Sequence, residues 1–385
     1  MDNSSLENLI SEAQSRGGGM LLNMNNKPAA VVLTVEKYNE LLNNPSALSG
    51  SLTRPRPDFS QEPLERHVLV TGGAGYIGSH LVRQLLDSGY LVTVFDNLST
   101  GKLENIDSRA KFIEGDLADL NLLRDILSAG NFEAVFHMAA SIEVEESVKN
   151  PEKYFENNVT NTSRLLTAMH ESGVKKIIFS SSAAVYGEQQ VVPIPETARL
   201  LPNNPYGFNK MLGEELIRYY CEYAGMSAVV FRYFNACGCD FDGKIKPTHE
   251  SHLIPIVLSV AAGKKPFMLI NGEDYNTFDR TCLRDYVHVL DICRAHILAL
   301  PAMDKGEKFK VYNIGTGKGM SVKQIINGAA ETLNKIIPME IGPRRAGDAP
   351  ATVADNSKIA RELGFVPEYS DLQTIISTSW KQLNT

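Results

Sequence analysis

The amino-acid sequence predicts an α/β protein built on a doubly wound parallel β-sheet, followed by a smaller C-terminal domain. Apolar strand-like segments alternate with segments of helical periodicity, which is the pattern of parallel strands joined by crossover helices. A glycine-rich turn joins the first of these strands to the first helix. After Gly238 the pattern becomes irregular and rich in loops, which predicts the second domain. The strands predicted after the first helix are Leu91–Phe95, Lys111–Glu114, Ala134–His137 and Lys175–Ser180.

The glycine-rich turn lies between the apolar strand Val68–Val70 and a helix whose apolar residues begin at Ile77. Gly72, Gly75 and Gly78 fit the spacing G-x-x-G-x-x-G, and the glycines at 73, 75 and 78 fit G-x-G-x-x-G. Glycine here permits a tight turn, a close approach of the backbone to a pyrophosphate, and close packing of helix on strand. The free N–H groups of the helix N-terminus then favour phosphate. These features predict a Rossmann-type dinucleotide-binding domain over residues 67–240, with a substrate domain over 241–385.

An acidic residue closes the second predicted strand. Asp96 stands 18 residues after Gly78 (96 − 78), where a carboxylate can bind the ribose hydroxyls. Asn97 follows it, in place of an arginine that would accommodate a 2′-phosphate. The sequence therefore predicts NAD rather than NADP as the cofactor.

Composition and charge exclude several classes of function. The net charge of −7 over 385 residues gives no electrostatic footprint for nucleic acid or an anionic membrane. No apolar run approaches the roughly 18 residues that cross a bilayer, and the acidic, polar N-terminus is unlike a secretory signal. The five cysteines are an odd number, typical of reduced thiols, and Cys237 and Cys239 lack a second pair for a metal site. A cytoplasmic protein without a metal or a membrane partner is expected.

Residues 1–45 predict a small α+β appendage with a helix, a strand at Met20–Met24, a turn, a strand at Ala30–Val35 and a second helix. The segment MLLNMNNKPAAVVLTVEKYNELL resembles the core of small antitoxins of the Phd/YefM kind, in which it dimerises and helps to bind DNA or a toxin. Acids outnumber bases five to three over residues 1–45, so a vestigial or dimerising role is favoured over DNA binding. Residues 46–66, rich in Pro and Ser, predict a linker.

Two polar residues one helical turn apart form the predicted catalytic pair. Tyr206 and Lys210 share one face of a helix that Pro205 suits as a first-turn residue, so the ammonium group can approach the phenol. An unperturbed tyrosine has a pKa of about 10, and a nearby cation is expected to lower that pKa toward the working pH. Together with Ser182 at a strand end, the pair predicts proton-transfer chemistry beside the dinucleotide.

The motifs, taken in order, resemble those of the extended short-chain dehydrogenase/reductase family: TGGAGYIGSH, FDNLSTG, GDL, SSSAAVYG, YGFNK and RYFNACG. The later segments SHLIPIVL, GEDYNTFDRTCLRDYVHVLD, VYNIGTG and PRRAGDAPATVADNSK narrow the resemblance to the UDP-glucose 4-epimerase family. The resemblance extends from about His67 to the C-terminus. It implies an isomerase of galactose metabolism that interconverts UDP-galactose and UDP-glucose through a 4-keto sugar, with NAD as a built-in redox agent.

The resemblance also implies a role for each matching residue. Tyr206 is expected to remove the proton of the sugar 4-hydroxyl, Lys210 to tune Tyr206 and bind the nicotinamide ribose, and Ser182 to bind the same hydroxyl. The residues implied to line the NAD site are Gly72, Gly75, Tyr76, Ile77, Gly78, Asp96, Asn97, Leu98, Ser99, Thr100, Gly101, Asp116, Leu117, Ala139, Ala140, Asn158, Tyr206, Lys210, Tyr233 and Phe234.

The UDP-sugar site is implied in the same way. The guanidinium group of arginine presents paired N–H donors that suit a diphosphate, and Arg284 and Arg345 supply two such groups. Thr352 is small at a position near the sugar, which leaves room for an N-acetyl group and extends the expected substrates to UDP-N-acetylhexosamines. A homodimer is implied through the helices at Glu152–His170 and Tyr206–Tyr223. The full set implied to bind substrate is Ser182, Asn235, His252, Leu253, Arg284, Arg345, Asp348 and Thr352.

Three other functions are alternatives to this interpretation. A sugar-nucleotide 4,6-dehydratase needs an added acid and base beside Ser182, where the sequence has Ala183 and Ala184. An epimerase of another UDP-sugar, a pentose or a uronic acid, stays open. A non-catalytic NAD sensor is disfavoured because Ser182, Tyr206 and Lys210 are all present.

The sequence departs from the family pattern in two segments. Glu143 and Glu145 stand near the expected nicotinamide site, where they could raise NAD affinity, alter the pH dependence or face solvent. Asn276, Phe278 and Arg280 replace a commoner Pro, Pro and Gly, so the shape of that loop is open.

Overall fold

The computed structural model describes residues 19–24, 27–33, 66–246, 252–304, 306–345 and 348–384. The chain divides into two compact units, Met1–Pro57 and Asp58–Thr385. In the first unit, β1 (Gly19–Met24) and β2 (Lys27–Leu33) form an antiparallel pair. These strands overlap the two predicted ones. The helices predicted beside them and the linker before Arg66 lie outside the described residues, and the antitoxin resemblance stays a prediction.

A seven-stranded parallel sheet forms the centre of the second unit. The strands are β3 (His67–Thr71), β4 (Leu91–Asp96), β5 (Lys111–Glu114), β6 (Ala134–His137), β7 (Lys176–Ser182), β8 (Ser227–Tyr233) and β12 (Phe309–Ile314). Their order across the sheet is β12-β8-β7-β6-β3-β4-β5, so the chain builds outward from β3 in one direction and then in the other. Ligands of such sheets bind at the carboxyl ends of the strands beside this reversal. The prediction of a doubly wound parallel sheet is confirmed.

Helices cover both faces of this sheet, and the central strand shows why its sequence is a continuous apolar run. Val68 and Val70 of β3 pack into the core on one face, whereas Leu69 packs into the core on the other. A parallel strand buried on both faces has no solvent side and therefore no polar alternation. The helices of the unit are α1 (Tyr76–Asp87), α2 (Leu120–Ala129), α3 (Val144–Lys149), α4 (Pro151–Phe155), α5 (Asn161–Ser172), α6 (Pro205–Tyr223), α7 (Leu253–Ala261), α8 (Val289–Ala302), α9 (Val322–Leu333), α10 (Ser357–Leu363) and α11 (Leu372–Asn384).

Smaller sheets lie beyond the main one. The strand β11 (Leu283–His288) pairs with β13 (Gly319–Ser321), β15 (Ala351–Thr352) and β9 (Asn235–Cys237), and β10 (Met268–Asn271) pairs with β14 (Met339–Gly342). A separate apolar core lies between α7, α9 and α11. Because β12 and α8 pack with the main sheet, the chain returns to the Rossmann domain after entering the smaller one. The boundary at residue 240 stays a prediction, since Asp58–Thr385 is one compact unit.

None of the helices in the described part of the chain is long and apolar enough to cross a membrane.

Candidate active site

The glycine turn after β3 is packed so tightly that side chains do not fit at two of its positions. Gly72 has a φ of +74°, and a Cβ there would lie 2.5 Å from the backbone N of Ala139. A Cβ on Gly78 would lie 2.1 Å from the carbonyl oxygen of Gly72. Gly75 is the N-cap residue just before α1 and provides no side-chain cap, so the first N–H groups of the helix stay available. This uncapped helix end beside a close-packed turn fits a pyrophosphate, as NAD requires.

Asp96 at the end of β4 is buried and held by the backbone. It accepts hydrogen bonds from the N–H of Ala74 at 2.9 Å and from the N–H of Leu98 at 2.8 Å. The side chain of Asn97 donates to Asp116 at 2.7 Å, which joins the ends of neighbouring strands. The acid predicted to bind ribose is therefore fixed in place before any ligand arrives.

One large cavity of about 1170 Å³ extends from the glycine turn to the smaller domain. This volume exceeds the roughly 300–1,000 Å³ of a typical single-ligand pocket. The predicted site residues line it except for Leu98, Gly101, Asn158 and Lys210. The residues that line it are Gly72, Gly75, Tyr76, Ile77, Gly78, Asp96, Asn97, Ser99, Thr100, Asp116, Leu117, Ala139, Ala140, Ser182, Tyr206, Tyr233, Phe234, Asn235, His252, Leu253, Arg284, Arg345, Asp348 and Thr352.

Of the four exceptions, Asn158 supports a residue that does line the cavity. Asn158 accepts a hydrogen bond from the N–H of Ser141 at 2.8 Å and donates to its carbonyl oxygen at 2.9 Å, so both backbone groups of a lining residue are fixed by one side chain. Gly101 packs against Ala74 of the glycine turn, where a Cβ would lie 2.7 Å from the Cβ of Ala74. Leu98 adopts a φ of +56° in the same loop.

Tyr206 lies in the first turn of α6, where Asn204 caps the helix by accepting from the N–H of Gly207 at 2.9 Å. Burial raises the pKa of Tyr206, the hydrogen bond with Ser182 lowers it, and the charge of Glu143 raises it further. The net direction is upward. The sequence predicted a lowered pKa for Tyr206 beside Lys210, but the structure gives a raised one, because desolvation of the buried phenol outweighs its hydrogen bond with Ser182.

Lys210 is buried beneath the cavity, and its ammonium group donates to the carbonyl oxygen of Ser180 at 2.6 Å. The Nζ atom lies 5.9 Å from the centre of the Tyr206 ring. Burial lowers the pKa of Lys210 to about 7, although the charge of Glu214 opposes this shift. Lys210 thus fixes the strand end that carries Ser182, and it can change its protonation near neutral pH.

Two arginines of the cavity lining share one carboxylate. Arg284 on β11 lies 3.3 Å from Asp348 and also donates to the carbonyl oxygen of Ala349 at 2.8 Å. Arg345 contacts both oxygens of Asp348, at 3.1 and 3.2 Å. Thr352 is paired with Arg284 across the β11–β15 ladder. Because two guanidinium groups share one acid, N–H groups that Asp348 does not use can donate to a diphosphate.

Sequence reasoning missed the buried ion pair behind the site. Glu214 lies one helical turn after Lys210 and pairs with Arg232 of β8 at 2.6 Å. Its spacing of four residues from Lys210 was the signal in the sequence that could have indicated Glu214.

The structure also shows where the two departures from the family pattern lie. Glu143 and Glu145 line the cavity, and Arg280 has a φ of +69°, a conformation that suits the glycine it replaces.

The sequence model of the NAD dependent epimerase/dehydratase family matches residues 68–315. A UDP-glucose 4-epimerase of Lacticaseibacillus casei is 45% identical over 315 residues, which cover 81% of this chain and 95% of that protein. The chain belongs to the UDP-glucose 4-epimerase family. The crystal structure of the UDP-glucose 4-epimerase from Brucella ovis in complex with NAD has a TM-score of 0.79 at 42% identity, covering 82% of this chain and 97% of that one.

A second solved structure, the UDP-Glc/GlcNAc 4-epimerase from Campylobacter jejuni, has a TM-score of 0.74 at 39% identity and covers 83% of this chain and 99% of that one. The predicted epimerase family, isomerase class and NAD dependence are confirmed by these matches. The roles of the individual site residues stay predictions. The family match begins at Val68, so it does not include the N-terminal unit.

Proposed function

We propose that this protein is a UDP-glucose 4-epimerase that interconverts UDP-galactose and UDP-glucose. The observation that carries the proposal is the common cavity. Its lining includes the glycine turn, Ser182 and Tyr206, and Arg284 with Arg345. A cofactor and a sugar nucleotide can therefore meet at the phenol, which neither a simple NAD-binding module nor a simple nucleotide-binding module requires.

The described residues fit NAD in two respects. The glycine turn and the uncapped start of α1 would hold the pyrophosphate, and Asp96 would hold the ribose. The chemistry that bound NAD supplies is the reversible oxidation of the sugar C4, together with a positive ring charge beside the phenol. Neither Ala183 nor Ala184 offers the extra acid or base that a dehydratase needs after Ser182.

Proton transfer falls to Tyr206, which would take the proton of the sugar 4-hydroxyl and return it to the other epimer. Ser182 hydrogen-bonds the phenol and so would orient the shared hydroxyl. Arg284 and Arg345 would hold the diphosphate while the hexose turns to present its other face. Firm binding on the nucleotide side and loose binding of the sugar are what an epimerase requires, because one site must accept both epimers.

Replacement of the phenol tests the proposal. The purified protein is given UDP-galactose, and UDP-glucose is measured as product. The substitution Tyr206→Phe should lower kcat by roughly 10²–10⁴-fold, the usual contribution of a general acid–base group. Tyr219→Phe, on the exposed side of the same helix, is the matched control and should leave the rate unchanged. Activity that survives Tyr206→Phe would overturn the mechanism, and no turnover by the natural protein would overturn the function.

A second substrate is proposed from Thr352. This small side chain lines the cavity beside Arg284, where it leaves space for an N-acetyl group at C2. The protein is therefore proposed to act on UDP-N-acetylglucosamine as well, as the name of the Campylobacter jejuni relative describes for that enzyme. Absence of turnover with this substrate beside normal turnover of UDP-galactose would refute the extension.

A homodimer in the cytoplasm is also proposed. Large apolar side chains are exposed on the two predicted dimer helices, namely Phe155, Phe208, Tyr219 and Tyr223. Exposed apolar surface of this kind is typical of a protein interface. The five cysteines are free and buried, which suits a reducing compartment. Sedimentation of the protein and of a Phe155→Glu variant would test the dimer.

A further inference from the structure

A fully buried histidine lies behind the candidate active site. His296 stands in the middle of α8, its side chain has no exposure to solvent, and it does not line the cavity. The rings of Phe136 and Phe231 lie close to it, with ring centres 6.2 and 4.7 Å away. Burial lowers the pKa of His296 to about 4, so the imidazole is neutral at neutral pH. A polar ring in apolar surroundings destabilises the fold unless its nitrogens have hydrogen-bond partners.

The partners of the two ring nitrogens define which nitrogen carries the proton. Nδ1 lies 2.8 Å from the carbonyl oxygen of Ile292, and Nε2 of the same ring lies 2.6 Å from the hydroxyl oxygen of Tyr233. A carbonyl oxygen can only accept, so Nδ1 is the donor and Nε2 of the neutral ring has the lone pair. Tyr233 therefore donates its hydroxyl proton to His296, a residue outside the cavity lining.

Tyr233 connects this histidine to the strand end that carries the predicted catalytic serine. It is the last residue of β8, it lines the cavity, and it is paired with Ser182 across the β7–β8 ladder. Burial raises the pKa of Tyr233, a hydrogen bond with Ser180 lowers it, and the charge of Tyr206 raises it further. The Tyr233 phenol is therefore within electrostatic reach of the proposed base. Because its proton is donated to the histidine, its oxygen is free to accept from the hydroxyl of Ser180.

Ser180 is held at two of its atoms. Its carbonyl oxygen accepts from the ammonium group of Lys210 at 2.6 Å, and its hydroxyl bonds to the oxygen of Tyr233. Ser180 stands two residues before Ser182 on β7. A chain of hydrogen bonds thus runs from His296 on α8, through the ends of β8 and β7, to the lysine on α6.

We propose that His296 is a positioning residue for the epimerase reaction: through Tyr233 it fixes the end of β7, which carries Ser182 and anchors Lys210. The inference rests on the proposed function, because it concerns the rate of that reaction. Without the imidazole, the buried hydroxyl of Tyr233 loses its acceptor and must donate to Ser180 instead, which reverses one bond of the chain. Small shifts of reacting groups, of about 1 Å, can lower a rate by about 100-fold.

Turnover of UDP-galactose by the NAD-loaded full-length protein tests this role. The rate is expressed per bound NAD, so that a smaller yield of folded enzyme does not alter it. His296→Leu removes the acceptor and should lower kcat by roughly tenfold to 100-fold. KM should change by less than about twofold, because the loss concerns the reacting groups rather than the grip on the nucleotide. His296→Gln keeps an acceptor near the position of Nε2 and should recover most of the rate.

His67 provides a matched control. This buried histidine likewise contacts a carbonyl oxygen, that of Gly130 at 2.8 Å, and a hydroxyl, that of Thr93 at 2.9 Å. It is the first residue of β3, at the end of the strand opposite the glycine turn, and it does not line the cavity. His67→Leu should therefore leave kcat per bound NAD unchanged, even where it lowers stability.

A double-mutant cycle shows whether the histidine acts through the phenol. Tyr233→Phe removes the link and should also lower kcat, and His296→Leu/Tyr233→Phe should be no slower than the slower single variant. The proposal is overturned if the two losses multiply, if the leucine variant keeps the natural kcat, or if the glutamine variant is as slow as the leucine one. Should His296→Leu not fold, a natural rate in Tyr233→Phe overturns it as well. Absent turnover by the natural protein would instead refute the proposed function.

Discussion

The substitution Glu214→Gln offers a sharp test of how the site is supported. Glu214 is fully buried, and its carboxylate contacts Arg232 through two pairs of atoms at 2.6 and 3.0 Å. The hydroxyl of Ser181, next to Ser182, donates to the same carboxylate at 2.5 Å. The amide would keep the shape of the side chain but would leave the Arg232 guanidinium without its counter-charge.

The expected cost follows from the burial of both partners. Their side chains are 5% and 0% exposed, so water can replace neither. Removing one member of a buried pair typically costs about 3–5 kcal/mol, since the remaining charge stays desolvated. Arg232 also donates to the hydroxyl of Tyr186 at 3.0 Å and to the carbonyl oxygen of Glu196 at 3.2 Å, which favours the lower end of that range. A loss of about 3 kcal/mol is a large part of the roughly 5–15 kcal/mol that stabilises a typical domain.

Urea unfolding at neutral pH, followed by tryptophan fluorescence and circular dichroism, measures this cost. The double variant Glu214→Gln/Arg232→Met removes the stranded charge, so it should be more stable than Glu214→Gln alone. The reasoning is refuted if Glu214→Gln changes the unfolding free energy by less than about 1 kcal/mol, the size of an ordinary substitution. It is also refuted if the double variant is the less stable of the two.

Two further predictions concern the glycine turn and the buried lysine. Gly78→Ala should weaken NAD binding by about tenfold or more, because its Cβ would meet the Gly72 carbonyl oxygen at 2.1 Å. The NAD retained after purification measures this. Gly173→Ala is strained by its φ of +78° but lies at the end of α5 and outside the cavity lining, so it should retain the cofactor. Burial lowers the pKa of Lys210 from 10.5 to about 7, so over this window the unfolded chain binds the proton more tightly and stability rises with pH. The unfolding free energy of the natural protein should therefore rise relative to Lys210→Met by about 1–3 kcal/mol between about pH 7 and pH 9; a constant difference would contradict the lowered pKa.

The alternation of strands and helices from β3 to β7 follows directly from sequence patterns. The apolar run of β3, the glycine turn and Asp96 lie within one βαβ unit, where short-range geometry fixes what each residue can do. The same holds for Tyr206 and Lys210, which are neighbours because a helix has 3.6 residues per turn. Only the family resemblance predicted that the glycine turn and the distant arginines line the same cavity.

Other features depend on contacts between distant segments, which no local pattern reports. Lys210 was expected to lower the pKa of Tyr206, but both groups are buried, and desolvation depends on the whole surrounding fold. The partner of Glu214 lies on another strand, and nothing in its own helix indicates Arg232. Glu143 and Glu145 depart from the family pattern, yet only the cavity lining distinguishes them from Glu146.

The carboxylate shared by Arg284 and Arg345 has a thermodynamic consequence for nucleotide binding. Arg284 is anchored by Asp348 and by the carbonyl oxygens of Leu283 and Ala349, so it loses little rotational freedom when a diphosphate arrives. Arg345 is 60% exposed in its side chain and has only Asp348 as a salt-bridge partner among the described residues. The entropy lost on binding therefore falls mainly on Arg345. Arg284 therefore keeps its position when the nucleotide binds, whereas Arg345 can move with the diphosphate as the sugar turns.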